Sequence, residues 1–207
     1  AIMLPSVAAM SIAYAFGEGI GRLACISFGC CYGKPLDDCP HWVQQLIGRK
    51  SFVFSGATKK ISYESGLDGR HVIPIQGMTS VLYVLTGLTA MLLFLKGYYG
   101  AALAISMVVT QVWRAFSETL RADYRGDGSI SAYQIMALGA VAYAVAMLLV
   151  LPESPGALPS LGEGLRTLWD PIVLAFLQLL GIGVFLFSGR SKVTASTLSF
   201  HVLTDRV

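Results

Sequence analysis

The stretch GAALAISMVVTQVWRAFSETL, residues 100–120, decides the fold. It has the length of a bilayer span, since a hydrocarbon core about 30 Å thick needs about 20 predominantly apolar residues per helix. Yet it carries Arg114, with Glu118 one turn later. A charge at membrane depth costs at least roughly 2.5–3.5 kcal/mol even on the most lenient insertion scale, so such residues normally mark a site for an ion or polar substrate. A second arginine, Arg22, stands at the end of another apolar run, inside GRLACISFGCCYGKP at residues 21–35.

Four further runs flank the first: Ala1 to about Phe16, Ile75–Leu95, Ala132–Leu151 and Pro171–Ser188. A chain that is 55% hydrophobic and 13% charged, with a mean hydropathy of +0.64, is neither an ordinary soluble domain nor a disordered one. The expected fold is all-α: a polytopic transmembrane bundle of about five spans over residues 1–188, with a polar tail over 189–207. The first run lacks a basic n-region and a cleavage motif, so it reads as a span rather than a secretory signal. The net charge of +3 is spread over loops, which excludes a nucleic-acid-binding role and points to lipids or membrane-anchored molecules as partners.

Between the first two runs lies the longest polar segment, Ser27–Pro74, with Cys30, Cys31 and Cys39, and Cys25 just before it. Its stretches Ser51–Ser55 and Lys60–Glu64 are short, alternating and rich in aromatic or β-branched residues, which predicts a small hairpin outside the membrane. The turn Lys96–Tyr99 makes the second and third spans antiparallel neighbours. Ser129 or Ser131 is the expected N-cap of the fourth span. Counting helices alternately puts most of the basic residues, including Lys34, Arg49, Arg70, Arg121 and Arg125, on one face, which the positive-inside rule reads as cytoplasmic.

Arg114 and Glu118 share a helix face and are expected to pair, with Arg121 continuing that face. Six residues from the end of the run, Arg114 sits about 9 Å inside at 1.5 Å per residue. Snorkelling with its own glutamate is the plain alternative. Three arginines nevertheless exceed what one carboxylate balances, and an anionic ligand would supply the missing charge. Guanidinium stays charged in a poor dielectric and grips phosphate bidentately, so Arg22, Arg114 and Arg121 read as a cradle for a phosphodiester head group. Gly17, Gly19, Gly21, Gly29 and Gly33 either let backbone amides approach the same oxygens or permit close helix packing. Cys25, Cys30, Cys31 and Cys39 contain no C-x2-C pair, and adjacent cysteines do not easily share one tetrahedron, so no metal is expected. A disulfide from Cys39 to Cys30 or Cys31 is expected if the loop faces an oxidising compartment. Of the histidines, only His71 is a candidate base.

These residues resemble the bacterial prolipoprotein diacylglyceryl transferases, in the branch whose motif reads G-R-x-x-C-x-x-x-G-C-C-Y-G. Here the motif is Gly21, Arg22, Cys25, Gly29, Cys30, Cys31, Tyr32 and Gly33. A P-x-Q element resembles Pro74 and Gln76, an R-x-x-x-E-x-x-R element resembles Arg114, Glu118 and Arg121 with Asp123 after it, and G-x-x-S-x-x-Q resembles Gly128, Ser131 and Gln134.

The resemblance implies an enzyme of the bacterial cytoplasmic membrane. It would move a diacylglyceryl group from phosphatidylglycerol to the lipobox cysteine of a preprolipoprotein, without a cofactor, and release glycerol phosphate. Arg22 and Arg114 would hold the donor phosphate, Glu118 would orient Arg114, and Gly33 would shape the pocket floor. Gly21, Cys25, Gly29, Tyr32, Gln76 and Arg121 would complete the substrate-binding set. The family places these motifs on the outer, periplasmic face, and that orientation is preferred here over the charge count, which the site arginines themselves bias. The family's N-terminal half, with additional helices and a histidine motif, has no counterpart before Ala1, so either the chain or its activity is expected to be incomplete. After Gln76 the family continues Leu-Tyr-Glu, where this chain has Gly77, Met78 and Thr79. Those departures suit a second expectation, a non-catalytic lipid-binding or assembly subunit of a membrane complex. A thiol redox protein built on Cys30 and Cys31 ranks last, because adjacent thiols are not a C-x-x-C site.

Overall fold

The computed structural model describes residues 3–124, 130–152 and 158–190. Arg125, Gly128, Ser129 and the tail beyond Arg190 lie outside the described residues. The chain divides into two compact units, Ala1–Pro159 and Ser160–Val207.

In the first unit, four long helices run up, down, up and down: α1 (Met3–Phe28), α4 (Ile75–Leu95), α5 (Tyr99–Glu118) and α6 (Ala132–Val150), with the short helices α2 (His41–Ile47) and α3 (Lys60–Ser65) between the first two. The all-α bundle read from the sequence is the observed fold. At one end α4 and α5 are joined by the tight turn at Gly97, whose φ of 82° suits glycine. At the other end the polar segment after α1 folds into a head. Helix α5 packs against α1, α4 and α6, and α1 packs against α4.

Among the described residues three helices, α1, α4 and α6, are long and apolar enough to cross a membrane by length and composition. In the second unit α7 (Leu161–Leu168) and α8 (Pro171–Arg190) form a pair bent by 68° that counts as a fourth only if taken as one broken span. About five spans were expected, and α5 is the bundle helix whose composition falls short of that measure. Its buried face carries Ser106, Thr110, Gln111 and Ser117, while its exposed face carries Val108, Val112 and Phe116. Polar inside and apolar outside is the arrangement for a helix whose neighbours are protein on one side and hydrocarbon on the other.

Helix α1 extends twelve residues past Phe16, the expected end of the first run. Its glycines do not stop it, because Gly19 seats against Tyr83 and Val84 of α4, where a Cβ would meet Tyr83 Cβ at 3.0 Å. Close packing is thus the role of that glycine. The helix ends in a Schellman motif: Cys30 N donates to Cys25 O at 3.1 Å and Gly29 N to Ile26 O at 3.3 Å, with Gly29 left-handed at φ 61°.

The head has two small cores, Tyr32, Phe54, Ile61 and Val72 in one, and Leu36, Val43, Ile73 and Ile75 in the other. Its hairpin partner differs from the expectation. Strand β1 (Phe52–Val53) pairs antiparallel with β2 (His71–Val72), while Lys60–Ser65 is helix α3. The physical reason is the spacing of Ile61, Glu64 and Ser65. On a helix they share one side, which buries Ile61 and brings Glu64 (3.0 Å) and Ser65 to the Tyr32 hydroxyl. Left-handed Gly66 then caps the helix.

Candidate functional site

The ends of α1, α4, α5 and α6 nearest the head carry the candidate residues. On α1, Tyr14, Glu18 and Arg22 recur every four residues and so lie on one face. Glu18 is the centre of the arrangement. Its carboxylate accepts from Arg22 Nη2 at 2.9 Å and from Arg114 Nη1 of α5 at 3.4 Å. Arg114 Nη1 also donates to the Tyr14 hydroxyl at 3.1 Å, which Gln111 reaches at 3.3 Å. The Tyr133 ring of α6 lies under the Arg114 guanidinium, 5.4 Å from its centroid, in the geometry of a cation–π contact.

The expected pairing of Arg114 with Glu118 is not the one formed. Glu118 turns to Arg121, accepting from its Nη1 at 2.7 Å, and Arg121 Nε lies 3.4 Å from Asp123. These three side chains are at most 6% exposed. The three arginines consequently form two networks. Arg121 stands between two carboxylates, whereas Arg22 and Arg114 share one.

The other expected site residues are divided between α1, the head and the start of α6. Gly21 lies on α1 in open space, with nothing within 4 Å of where a Cβ would stand, and so does Gly17. Gly33 bridges to Arg121 and faces Ile73, whose carbonyl oxygen would stand 2.4 Å from an added Cβ. Its bareness serves head-to-helix contact. Lys34 N to Leu120 O at 2.9 Å and Ala122 N to Tyr32 O at 3.2 Å continue that seam. Tyr32 is fully buried, and burial pushes its hydroxyl up to about 12. Gln76, also buried, donates to Cys30 O at 2.8 Å, while its Oε1 has no partner. Ser131 and Gln134 form a reciprocal capping box at the start of α6, and Gln134 Nε2 reaches back to Ala115 O of α5 at 3.2 Å.

At the departures from the family pattern, Gly77 seats the ring of Phe52, 3.0 Å from an added Cβ, and Thr79 accepts from the Trp113 indole at 2.9 Å. His71 sits on an exposed strand, held by Ser51 Oγ at 2.8 Å.

The cysteines depart from expectation. Among the described residues no disulfide joins them, and Cys39 bonds instead to Pro35 O at 3.4 Å. Cys25, Cys30 and Cys31 have all their Sγ atoms within 4.8 Å of one another. Hydrogen bonds from Cys25 and Cys30 hold the Cys31 thiol well below its ordinary range, and the charges of Arg121 and Arg22 act in the same direction.

Sequence reasoning missed Tyr14 and Glu18. A glutamate four residues before Arg22 was the available signal, obscured by ending the first helix at Phe16.

Between α1, α5 and α6 opens a cleft of about 290 Å³ lined by Val7, Met10, Ser11, Leu103, Met107, Tyr143, Ala144 and Met147. Along the helices it lies about 10 Å from Arg114, measured to Met107, and about 16 Å from Arg22, measured to Ser11.

No curated protein and no solved structure matches the chain. The model of one family, prolipoprotein diacylglyceryl transferase, matches residues 3–150, which takes in the whole four-helix bundle and its head. The chain belongs to that membrane-protein family.

Proposed function

We propose that the chain binds phosphatidylglycerol with its phosphate on Arg22 and Arg114 and transfers the diacylglyceryl group to a cysteine thiol of a lipobox peptide. The observation that carries this reading is the shared carboxylate. Among the described residues two guanidinium groups share Glu18 as their one carboxylate, so the pair carries one positive charge more than that carboxylate balances, on the same helices as the apolar cleft. Arg22 Nε is also buried without a partner; a buried donor left unmade costs about 1–3 kcal/mol, which a phosphate oxygen recovers.

In the reaction, the acceptor thiol loses its proton and forms a C–S bond to the glyceryl carbon as that carbon's C–O bond to phosphate breaks; the electron pair leaves with glycerol phosphate, which takes up one proton in place of the one the thiol gave up. Charge developing on the departing phosphate is what a preorganised arginine pair stabilises. Tyr14, Glu18 and Tyr133 hold Arg114 in place without consuming all of its donors. The acyl chains run down the cleft between α1 and α6. Arg121, between Glu118 and Asp123, positions the head over the helix ends rather than touching substrate. In this reading the head faces the periplasm, where lipobox substrates emerge.

The test is transfer of labelled diacylglycerol from phosphatidylglycerol to a lipobox peptide, with wild type compared with Arg114→Ala and Arg114→Lys. Loss of transfer in Arg114→Ala, with lysine restoring little because it cannot grip bidentately, is the expected result. Undiminished transfer by Arg114→Ala removes the assignment. Absence of transfer in wild type, with phosphatidylglycerol still bound, points to the non-catalytic lipid-binding subunit instead.

A further inference from the structure

We infer that Cys25, Cys30 and Cys31 form a binding site for a soft, thiophilic metal ion, with copper(I) the ion it fits best. The three sulfur atoms lie within 4.8 Å of one another, and a metal–sulfur bond of about 2.3 Å sets the sulfurs of a three-coordinate complex about 4 Å apart. Closing the triangle therefore needs sub-ångström side-chain shifts, available from thiol rotamers.

The convergence is built into the backbone. The Schellman cap at Gly29 folds the chain back so that Cys30 stands over Cys25, its amide on the Cys25 carbonyl at 3.1 Å. Cys31, the one described non-glycine residue at positive φ, 57°, then turns its thiol to the same point. Gln76 of α4 holds the Cys30 carbonyl at 2.8 Å. Spacing that looks wrong for a metal on an extended chain is thus compatible with one across a helix cap.

The ligand set selects the ion. No histidine or carboxylate joins the cluster among the described residues, and Cys39 is engaged with Pro35. All-sulfur ligation favours Cu(I) and Zn(II) over hard cations. Structural zinc almost always takes four protein ligands, whereas Cu(I) is satisfied by three thiolates. Each ligating thiol gives up its proton on binding, and the cations of Arg121 and Arg22 beside the cluster offset the negative charge that a tris-thiolate complex carries. The site shares Arg22 with the proposed phosphate site, and metal binding is read separately from transfer.

The test is an anaerobic titration of the full chain, reduced and in detergent, with Cu(I) supplied as its acetonitrile complex against a chromogenic Cu(I) chelator. One ion per chain is expected, with a near-ultraviolet thiolate-to-copper absorption band. Loss of an outer partner costs roughly 10–100-fold in metal affinity, so Cys25→Ser and Cys30→Ser, which remove ligands, are each expected to weaken binding at least that much, while Cys39→Ser leaves it unchanged. Should a serine variant misfold, maleimide labelling of wild type decides. Copper is expected to protect three thiols and leave Cys39 reactive. Absence of the band, equal affinity in the Cys25→Ser, Cys30→Ser, Cys31→Ser triple variant, or labelling that copper does not change overturns the inference.

Discussion

Glu18→Gln isolates the interaction on which the proposed phosphate site rests. The substitution keeps the shape of the side chain and one acceptor oxygen but removes the charge that Arg22 and Arg114 share at 2.9 and 3.4 Å. Hydrogen bonds to charged groups contribute about 1.5–3 kcal/mol each. One contact survives in weaker, neutral form, and the 29% exposure of Glu18 lets solvent screen part of the loss. The expected destabilisation is about 2 kcal/mol. At roughly 2–4 °C per kcal/mol for a chain of this size, thermal unfolding in detergent, followed by tryptophan fluorescence, should fall by about 4–8 °C. The lipid makes the measurement specific. Added phosphatidylglycerol should close most of the gap between variant and wild type, because its phosphate takes the place of the missing carboxylate, while zwitterionic phosphatidylcholine should leave the gap open. A variant that melts with the wild type, or whose deficit is equal in the two lipids, would refute the assignment of Arg22 and Arg114 to an anionic head group.

Arg121→Ala should be the more damaging arginine substitution for folding. It removes the cation from two carboxylates that are 4% exposed, at a cost of about 3–5 kcal/mol, so its melting temperature should fall below that of Arg114→Ala in the same detergent. Gly33→Ala must move Ile73, whose carbonyl oxygen would stand 2.4 Å from the new methyl; overpacking of this kind costs about 1–3 kcal/mol. Faster hydrogen exchange at the Lys34 and Ala122 amides, which close that seam, is the expected signature. Ser131→Ala removes one half of the α6 capping box and should cost about 1 kcal/mol, read as a lower melting temperature with phosphatidylglycerol affinity unchanged.

The four helices of the bundle and the tight turn at Gly97 were legible because hydrophobic run length is a strong signal in membrane chains. The extent of α1 was not. Gly17, Gly19 and Gly21 look like helix breakers on the chain alone, and only α4, with Tyr83 and Val84 seated on Gly19, shows why the helix continues. That error hid Glu18, since a glutamate assigned to a loop attracts no notice, whereas one inside a span demands a partner. It also hid the thiol cluster, which exists only because the helix ends at Gly29. In the head, Ile61, Glu64 and Ser65 fit a short strand as readily as a helical turn, and the distant Tyr32 hydroxyl decides between them. Arg22 and Arg114 stood out by the cost of a charge at membrane depth, and Arg121 by continuing the Arg114 face. Their partners did not, because helix spacing proposes Glu118 for Arg114 but cannot weigh it against Glu18 on a neighbouring helix.

That choice of partners determines what the site can do. Arg22, Arg114 and Arg121 meet Glu18, Glu118 and Asp123, so three positive charges face three negative ones and the set as a whole is neutral. Distribution breaks the balance. Arg121 holds Glu118 and Asp123, where the side chains are buried. Arg22 and Arg114 hold Glu18, leaving one positive charge where the side chains are 16–29% exposed and an apolar cleft lies below. Had Arg114 taken Glu118, as spacing alone suggests, Arg22 would have kept Glu18 to itself and each pair would have been self-contained. Sharing Glu18 across α1 and α5 therefore brings two guanidinium groups to one carboxylate, and it is on that arrangement that the proposed phosphate site rests.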